Sequence, residues 1–431
     1  MDINKQNLVT KNAMELLRQT QSNFAEQKKK SALDIFNSIP MPKEKDEDWR
    51  YTQIDKFDLQ KFSLYDVKTK IFATKLSEDL IERGIILTDI NTALEKYPAA
   101  QEYFFKGVKA DKDKFTALNA AYFNNGIFLY VPKNAELEEP IRLNFELEEK
   151  NSIIHNIIIA EPNSNFSLIE EYSHSQKLLE KTFVRSYLHS PTKFHKDFVG
   201  SVYSNKEINH EQLNSCVTEV FANDNSKINF YHLNNWTKNV YNFTSIIGAA
   251  ERDAEINWIS GCFGTKINRL RIDTNFNGQG SQCSNIGVFL GRGKEHIDFT
   301  TNVYHNAVGT TNDIMVEGIL KDESTSVYRG LIRIEKIAQK TNSYLDNKIL
   351  KLGEKTLANS IPSLKIDAND VKASHGATVG QINEDNMFYL MARGLSRQEA
   401  ERLIVEGFFE PVIQKIPLEE LREKIRGLVR G

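Results

Sequence analysis

The chain has 431 residues, 40% of them hydrophobic and 26% charged, with a formal net charge of −3. These values describe an ordinary globular protein, long enough to bury a large core without disulfides. The near-neutral balance excludes a basic nucleic-acid footprint, so no nucleic-acid partner is expected.

The first zone, about 1–115, is rich in Lys, Glu and Leu and is expected to be helical. It opens MDINKQNLVTKNAMELL, with no basic start followed by an apolar stretch, so no signal peptide is expected. Nor does any apolar run in the chain approach the roughly 18 residues of a membrane span, which leaves the cytoplasm as the expected compartment and no membrane partner. Met14, Leu17, Phe24, Leu33 and Phe36 recur at loose helical spacing, and Ile39-Pro40-Met41-Pro42 ends that pattern. In K-E-K-D-E-D-W-R-Y-T, residues 43–52, the charges read as solvated. Trp49 and Tyr51 read as anchors of a turn on something apolar.

The second zone, about 116–365, is dense in Asn, Ser, Thr, Ile, Val and Phe. IRLNFEL (141–147), IIHNIIIAE (153–161), KINFYHL (227–233), RLRIDTNF (269–276) and SVYRGLIRIEK (326–336) alternate with period two, as strands do. No amphipathic helix of 10–15 residues separates them, which excludes an α/β fold. One large β body remains: a sandwich, a barrel or a solenoid. Asn and Thr at the turns, without hairpin dipeptides, favour a solenoid of irregular coils, although no fixed-period repeat is visible.

The third zone, about 366–431, reads as helical. Asn383 caps a helix with Met387, Leu390 and Met391 on one face, ending at Arg393-Gly394. Ser396 and Glu399 form a capping-box pattern that opens a helix to Gly407. Pro417 begins a last helix with Leu418, Leu421, Ile425 and Leu428 on one stripe.

No G-x-S-x-G, H-E-x-x-H or P-loop motif occurs, so ATP binding of the P-loop type is excluded. Cys216, Cys262 and Cys283 form no C-x-x-C pair, which excludes a four-cysteine site, and they read as small buried side chains. Histidines 155, 174, 189, 195, 210, 232, 296 and 305 read as satisfied polar residues. His375 differs: it stands in D-V-K-A-S-H-G-A-T-V-G, where a turn, a catalytic base and half of a metal site all remain open. Asp273 and Asp298 would be the acids if the body were a carbohydrate-active β-solenoid.

Several segments carry a resemblance: T-N-S-Y-L-D-N-K-I-L-K-L-G (341–353), I-P-S-L-K-I-D-A-N-D-V-K-A-S-H-G-A-T-V-G (361–380), E-D-W-R-Y-T (47–52), S-V-Y-R-G-L-I-R-I (326–334), M-F-Y-L-M-A-R-G-L and E-A-E-R-L-I-V-E-G-F. Together they resemble the SufB/SufD family of iron–sulfur cluster assembly scaffolds, on its SufD side. The resemblance implies a right-handed parallel β-helix core flanked by helical N- and C-terminal regions, and a scaffold subunit rather than an enzyme. It implies a SufB-like paralogue and a SufC-like ABC-type ATPase as partners, and leaves pairing with a second copy of the chain open. Leu345 stands where SufB-like chains carry a cysteine, and Ala373 where many relatives have K-C-S-H-G. His375 then maps onto the histidine implicated at the SufB interface, as ligand of a transient cluster shared with that partner; the isolated chain would hold none stably. Met387, Phe388, Tyr389, Arg393, Phe408 and Phe409 are the residues expected to contact a partner through the C-terminal helices. The remaining alternative within the family is a SufB-like chain that holds a cluster itself.

Overall fold

The computed structural model describes residues 23–65, 67, 69–148, 150–174 and 210–430; Met14, Leu17, His189 and His195 lie outside them. Its strands form two sheets of nine. The first holds β1 (Thr69–Ala73), β4 (Ile141–Leu147), β6 (Asn165–His174), β8 (Lys227–Asn235), β10 (Glu255–Phe263), β12 (Gln282–Gly291), β14 (Thr311–Leu320), β16 (Asn342–Lys351) and β18 (Lys372–Gln381), in that order. The second runs from β2 (Ile86–Asp89) through β3 (Ile127–Val131), β5 (Ser152–Ala160), β7 (Gln212–Ala222), β9 (Val240–Ala250), β11 (Ile267–Phe276), β13 (His296–His305) and β15 (Thr325–Ile334) to β17 (Leu357–Ile366). The chain alternates between the sheets coil by coil, and neighbouring strands pair in parallel from β3 and β4 onward. This is a parallel β-solenoid. Antiparallel strands β1 and β2 close its N-terminal end.

One turn per coil recurs in the left-handed conformation. Asn134, Asn163, Asn225, Asp253, Gly280, Gly309 and Lys340 occupy it, with φ between 55° and 75°. Each donates its amide to a carbonyl of the next coil, from Asn134 to Pro162 (3.0 Å) through Lys340 to Asp370 (2.6 Å). Asn, Asp and Gly tolerate that conformation best. Asn side chains add a ladder along the same edge, Asn225 to Asn163 (2.9 Å) and Asn163 to Asn134 (2.8 Å).

The interior is lined by alternate residues of each strand. Leu168, Phe230, Trp258, Asn285, Ile314 and Leu345 stand in register along the first sheet and face the lumen. Outside, the second sheet is covered by an N-terminal layer of α1 (Asn23–Ser38), α3 (Ile90–Lys96), α4 (Pro98–Tyr103) and α5 (Lys114–Tyr122), while α2 (Glu78–Glu82) packs Leu80 against the lumen core. Leu33, Phe36, Leu94, Phe115 and Leu118 of this layer pack with Ile153, Ile157, Leu213 and Phe243 of the strands. The first sheet is covered by α7 (Arg397–Ile413) and α8 (Glu419–Arg430), which follow α6 (Glu384–Ala392). Val405, Phe409, Val412, Leu421 and Ile425 bury against Tyr231, Ile259, Ile286 and Ile319.

The caps read from the sequence are present. Asn383 accepts from the amides of Asp385 and Asn386, and the Ser396–Glu399 capping box is formed in both directions. The helix expected to stop at Gly407 continues to Ile413 with Pro411 inside it, because Phe409, Val412 and Ile413 are buried against the sheet and tertiary packing overrides propensity. The boundary expected near 365 falls inside β17, and the solenoid continues to Gln381. Among the described residues, no helix is long and apolar enough to cross a membrane.

Candidate functional site at the open end of the solenoid

His375 lies on β18, the last strand of the first sheet, and not in a turn. β18 pairs with β16 so that His375 stands directly against Leu345. His375 is therefore the final rung of the ladder that begins Leu168, Phe230, Trp258. Residues in register on parallel strands face the same side, so its side chain belongs to the lumen-facing row with Ala373, Ala377 and Val379. Leu345 beneath it is fully buried, filling the space over Gly330. Among the described residues no further coil covers His375, and it is exposed. It has no hydrogen-bond partner among the described residues, which leaves both ring nitrogens available.

The mouth around it is apolar. Ala358 and Leu364 of β17 and Ala373 of β18 are only partly buried against the lumen core. Leu357 (57% exposed), Val379 (43%) and Ile366 (39%) extend the apolar surface along both terminal strands. Ser360 donates to Asn347 (2.7 Å), and Asn347 donates to the Val316 carbonyl (3.0 Å), which closes the polar floor. Among the described residues β17 and β18 each have one hydrogen-bonded neighbour, so each presents an unpaired backbone edge of ten residues there.

The thiols are elsewhere. Cys216, Cys262 and Cys283 are all buried, and burial pushes each thiol up to about 12. A group with that value supplies no thiolate at neutral pH. No group of three or more His, Cys, Asp or Glu side chains suited to a metal occurs among the described residues. An iron–sulfur cluster as cargo needs several soft ligands, and this end of the chain offers one imidazole.

The expected partner contacts divide. Met387 and Phe409 are buried by the chain itself, Met387 as the buried residue of α6 and Phe409 against the first sheet. Neither can be a surface contact, since helical spacing does not say which face a small helical layer hides. Phe408 is half-buried against the same core. Phe388 (74%) and Tyr389 (55%) are exposed, and Arg393 stacks over the Tyr389 ring at 4.5 Å.

The two candidate acids of a glycan-cleaving site are spent on structure. Asp298, fully buried, accepts from Arg269, from Arg329 (2.9 Å) and from Thr52 (2.5 Å). Arg329 also reaches the Arg50 carbonyl, and Arg269 lies under Trp49 at 3.9 Å. W-R-Y-T is thus a clasp between the N-terminal layer and β13 and β15. Burial opposes ionisation of Asp298, but Arg269 and Arg329 outweigh it and hold the carboxyl low. Asp273 follows the same balance: burial raises it, while Arg271 and Lys112 bring it down to about 2. Held ionised by these partners, neither can serve as the general acid that the carbohydrate-active alternative would need. Three of the histidines are satisfied as expected: His155 by Asn119 (3.1 Å) and Glu219 (3.0 Å), His296 by Thr325 (2.8 Å), and His305 by Thr310 (2.7 Å) and Asn312 (2.8 Å); His232 meets Glu170 (3.4 Å) and His174 meets Gln212 (3.0 Å) through one ring nitrogen only.

Comparison with known proteins agrees with this arrangement. Residues 193–408 match the SUF system FeS cluster assembly, SufBD core domain, and residues 58–143 match the SufBD protein N-terminal region. The iron–sulfur cluster assembly protein SufD of Bacillus subtilis is 31% identical over 359 residues, covering 82% of this chain and 75% of that protein. A SufBD family protein of Staphylococcus epidermidis is 27% identical over 356 residues, and one of Staphylococcus aureus MRSA252 is 26% identical over 356; each alignment covers 82% of this chain and 70% of the relative. A solenoid with an N-terminal layer and a helical C-terminal cover, matched over both of its parts, belongs to the SufB/SufD family of iron–sulfur cluster assembly proteins.

Proposed function

We propose that the chain is the SufD-type subunit of a cluster assembly scaffold. It pairs with a SufB-like paralogue through the open end of the solenoid and with a SufC-like ATPase through its C-terminal helices. The observation that carries this reading is the open end: two free strand edges and an apolar mouth, with an unpartnered imidazole on the lumen row. Exposed edges of this length invite strand addition, and a second solenoid is the partner whose shape continues both sheets.

The nascent cluster is cargo. His375 contributes one nitrogen ligand, and the thiolates come from the partner. The ring ligates in its neutral form. Leu345, directly below, leaves no room or donor for a second ligand from this chain, which disfavours a SufB-like role. ATP hydrolysis belongs to the ATPase, which docks on Phe388, Tyr389 and Arg393 and reshapes the paralogue interface. The cluster is transient and shared.

The test uses the three-component complex. With His375→Ala, the complex is expected to assemble at wild-type stoichiometry but to lose cluster formation from iron and sulfide under anaerobic conditions. A variant complex that builds clusters at the wild-type rate would sink the ligand role.

A further inference from the structure

Tyr51 breaks two rules that the rest of the chain keeps. Its φ is 67°, in the left-handed region that aromatic residues avoid, and its ring is 44% exposed. The ring joins none of the apolar cores. Its neighbours in sequence hold it in that pose. The Arg50 carbonyl accepts from the Arg329 guanidinium. Thr52, fully buried, accepts from the same guanidinium (3.4 Å) and donates to Asp298 (2.5 Å). Arg329 is itself fixed on Asp298 at 2.9 Å. Neither neighbour can turn without breaking a buried ionic network, so the strain is locked in and the ring points outward. The Arg50 guanidinium lies over it at 5.1 Å.

Strand register places this ring beside the last coil. Gln53 donates from Nε2 to Thr325 Oγ1 (3.0 Å). Residues 50–53 therefore run along the outer face of β15, from Arg329 back to Thr325. On β17 the residues in register with those two are Ile361 and Leu357. They stand one strand spacing, about 4.8 Å, nearer the open end, and on the same outer face. Leu357 is 57% exposed and Ile361 is half-buried. The apolar core of the N-terminal layer reaches no farther along this sheet than Ile267 of β11. The result is a step. Residues 50–53 form a wall one strand in from the edge, with Tyr51 exposed on it, and the outer row of β17 is the uncovered tread.

We propose that this step is a docking surface for the SufB-like paralogue, continuous with the strand-edge contact at the open end. It rests on the pairing proposed above and extends it from the edges onto the outer face of the second sheet. A strand added to β17 carries the sheet onward. The segment that covers the partner's first coil then lies over Leu357 and Ile361 and closes on the Tyr51 ring. The occupant is thus an apolar, sheet-covering segment of the partner. Free strand edges accept any strand, because their hydrogen bonds are made by backbone alone. The step adds side-chain selection: a bare sheet end leaves Tyr51 and Leu357 in water, and a solenoid with a fitting cover buries them. An exposed aromatic on a rigid base is the kind of residue that dominates such contacts.

The test is Tyr51→Gly in the full chain, because glycine keeps the left-handed turn without strain. The denaturation midpoint is expected to stay level or rise. In calorimetric titration with the SufB-like paralogue, affinity is expected to fall by about tenfold or more. A lower midpoint means that the ring serves the fold, and overturns the proposal. Unchanged affinity overturns it too; if self-association of the chain is weakened instead, the step belongs to a second copy. Amide exchange separates this failure from failure of the pairing itself. Protection of β17 in wild-type and variant complexes alike, with unchanged affinity, removes the step and leaves the pairing. No protection of β17 in the wild-type complex removes both.

Discussion

At the residue scale, the solenoid's punctuation is sharper than its strands. Six of the seven positions in the turn column from Asn134 to Lys340 carry Asn, Asp or Gly, and Lys340 is the exception, at φ 61°. Lys340→Gly is expected to raise stability by about 1 kcal/mol, read as a higher denaturation midpoint, because the amide-to-Asp370 bond needs no side chain. His305 shows how burial writes a pH dependence. Desolvation pushes its ring down to about 4, against about 6.5 in an unfolded chain. The unfolded state takes the proton first on acidification. Its contribution is therefore fully present above about pH 6.5 and is lost as pH falls toward about 4. The two values differ by enough for a loss of about 3 kcal/mol at the acid end. Denaturant unfolding at about pH 7 and about pH 5 should show a shallower loss for His305→Gln than for the wild type. Equal losses would mean that the ring titrates normally in the fold.

At the element scale, the strands were legible wherever one face of the sheet meets solvent. IRLNFEL is β4 with no shift of boundary, and its burial alternates residue by residue. β5 and β7 are buried on both faces because the N-terminal layer covers the second sheet. Alternation alone could not reveal that cover. K-A-S-H-G-A-T-V-G was misleading for the opposite reason. At an uncovered coil the lumen row needs no large apolar filling, so β18 places Ala373, His375 and Ala377 on it and is held as a strand by β16. The signal that could have exposed the coils was the turn column, Asn134 to Asn163 and Asn225 to Asp253 to Gly280. Its irregular spacing hides it from a fixed-period search. In α6 the exposed pair Phe388 and Tyr389 contributes little to the fold. Phe388→Ala is expected to change stability by no more than about 0.5 kcal/mol while weakening ATPase binding in a pull-down or calorimetric titration. Unaltered binding would remove α6 from the docking surface.

At the scale of the whole molecule, the two ends of the solenoid differ. The N-terminal end is finished by β1 and β2, five and four residues long and antiparallel to their neighbours. Short, reversed edges of this kind discourage further pairing. The C-terminal end stops on two ten-residue parallel strands with apolar residues exposed on both. The sequence motifs pointed to the family and to His375, but Leu345 lies 30 positions away in the chain and only strand register sets it under the imidazole. The clasp at W-R-Y-T was legible only in part: Trp49 is the buried anchor expected, but Tyr51 is exposed, and Arg269, Arg329 and Asp298 lie more than 200 positions away on strands that only the fold brings to it. These features share one consequence: the chain is a finished fold at one end and an unfinished one at the other. Amide hydrogen exchange measured with and without a SufB-like partner tests that most directly. The account predicts strong new protection of the outward-facing amides of β17 and β18, with β1 and β2 unchanged. Complex formation that leaves β17 and β18 exchanging as in the free chain would contradict it.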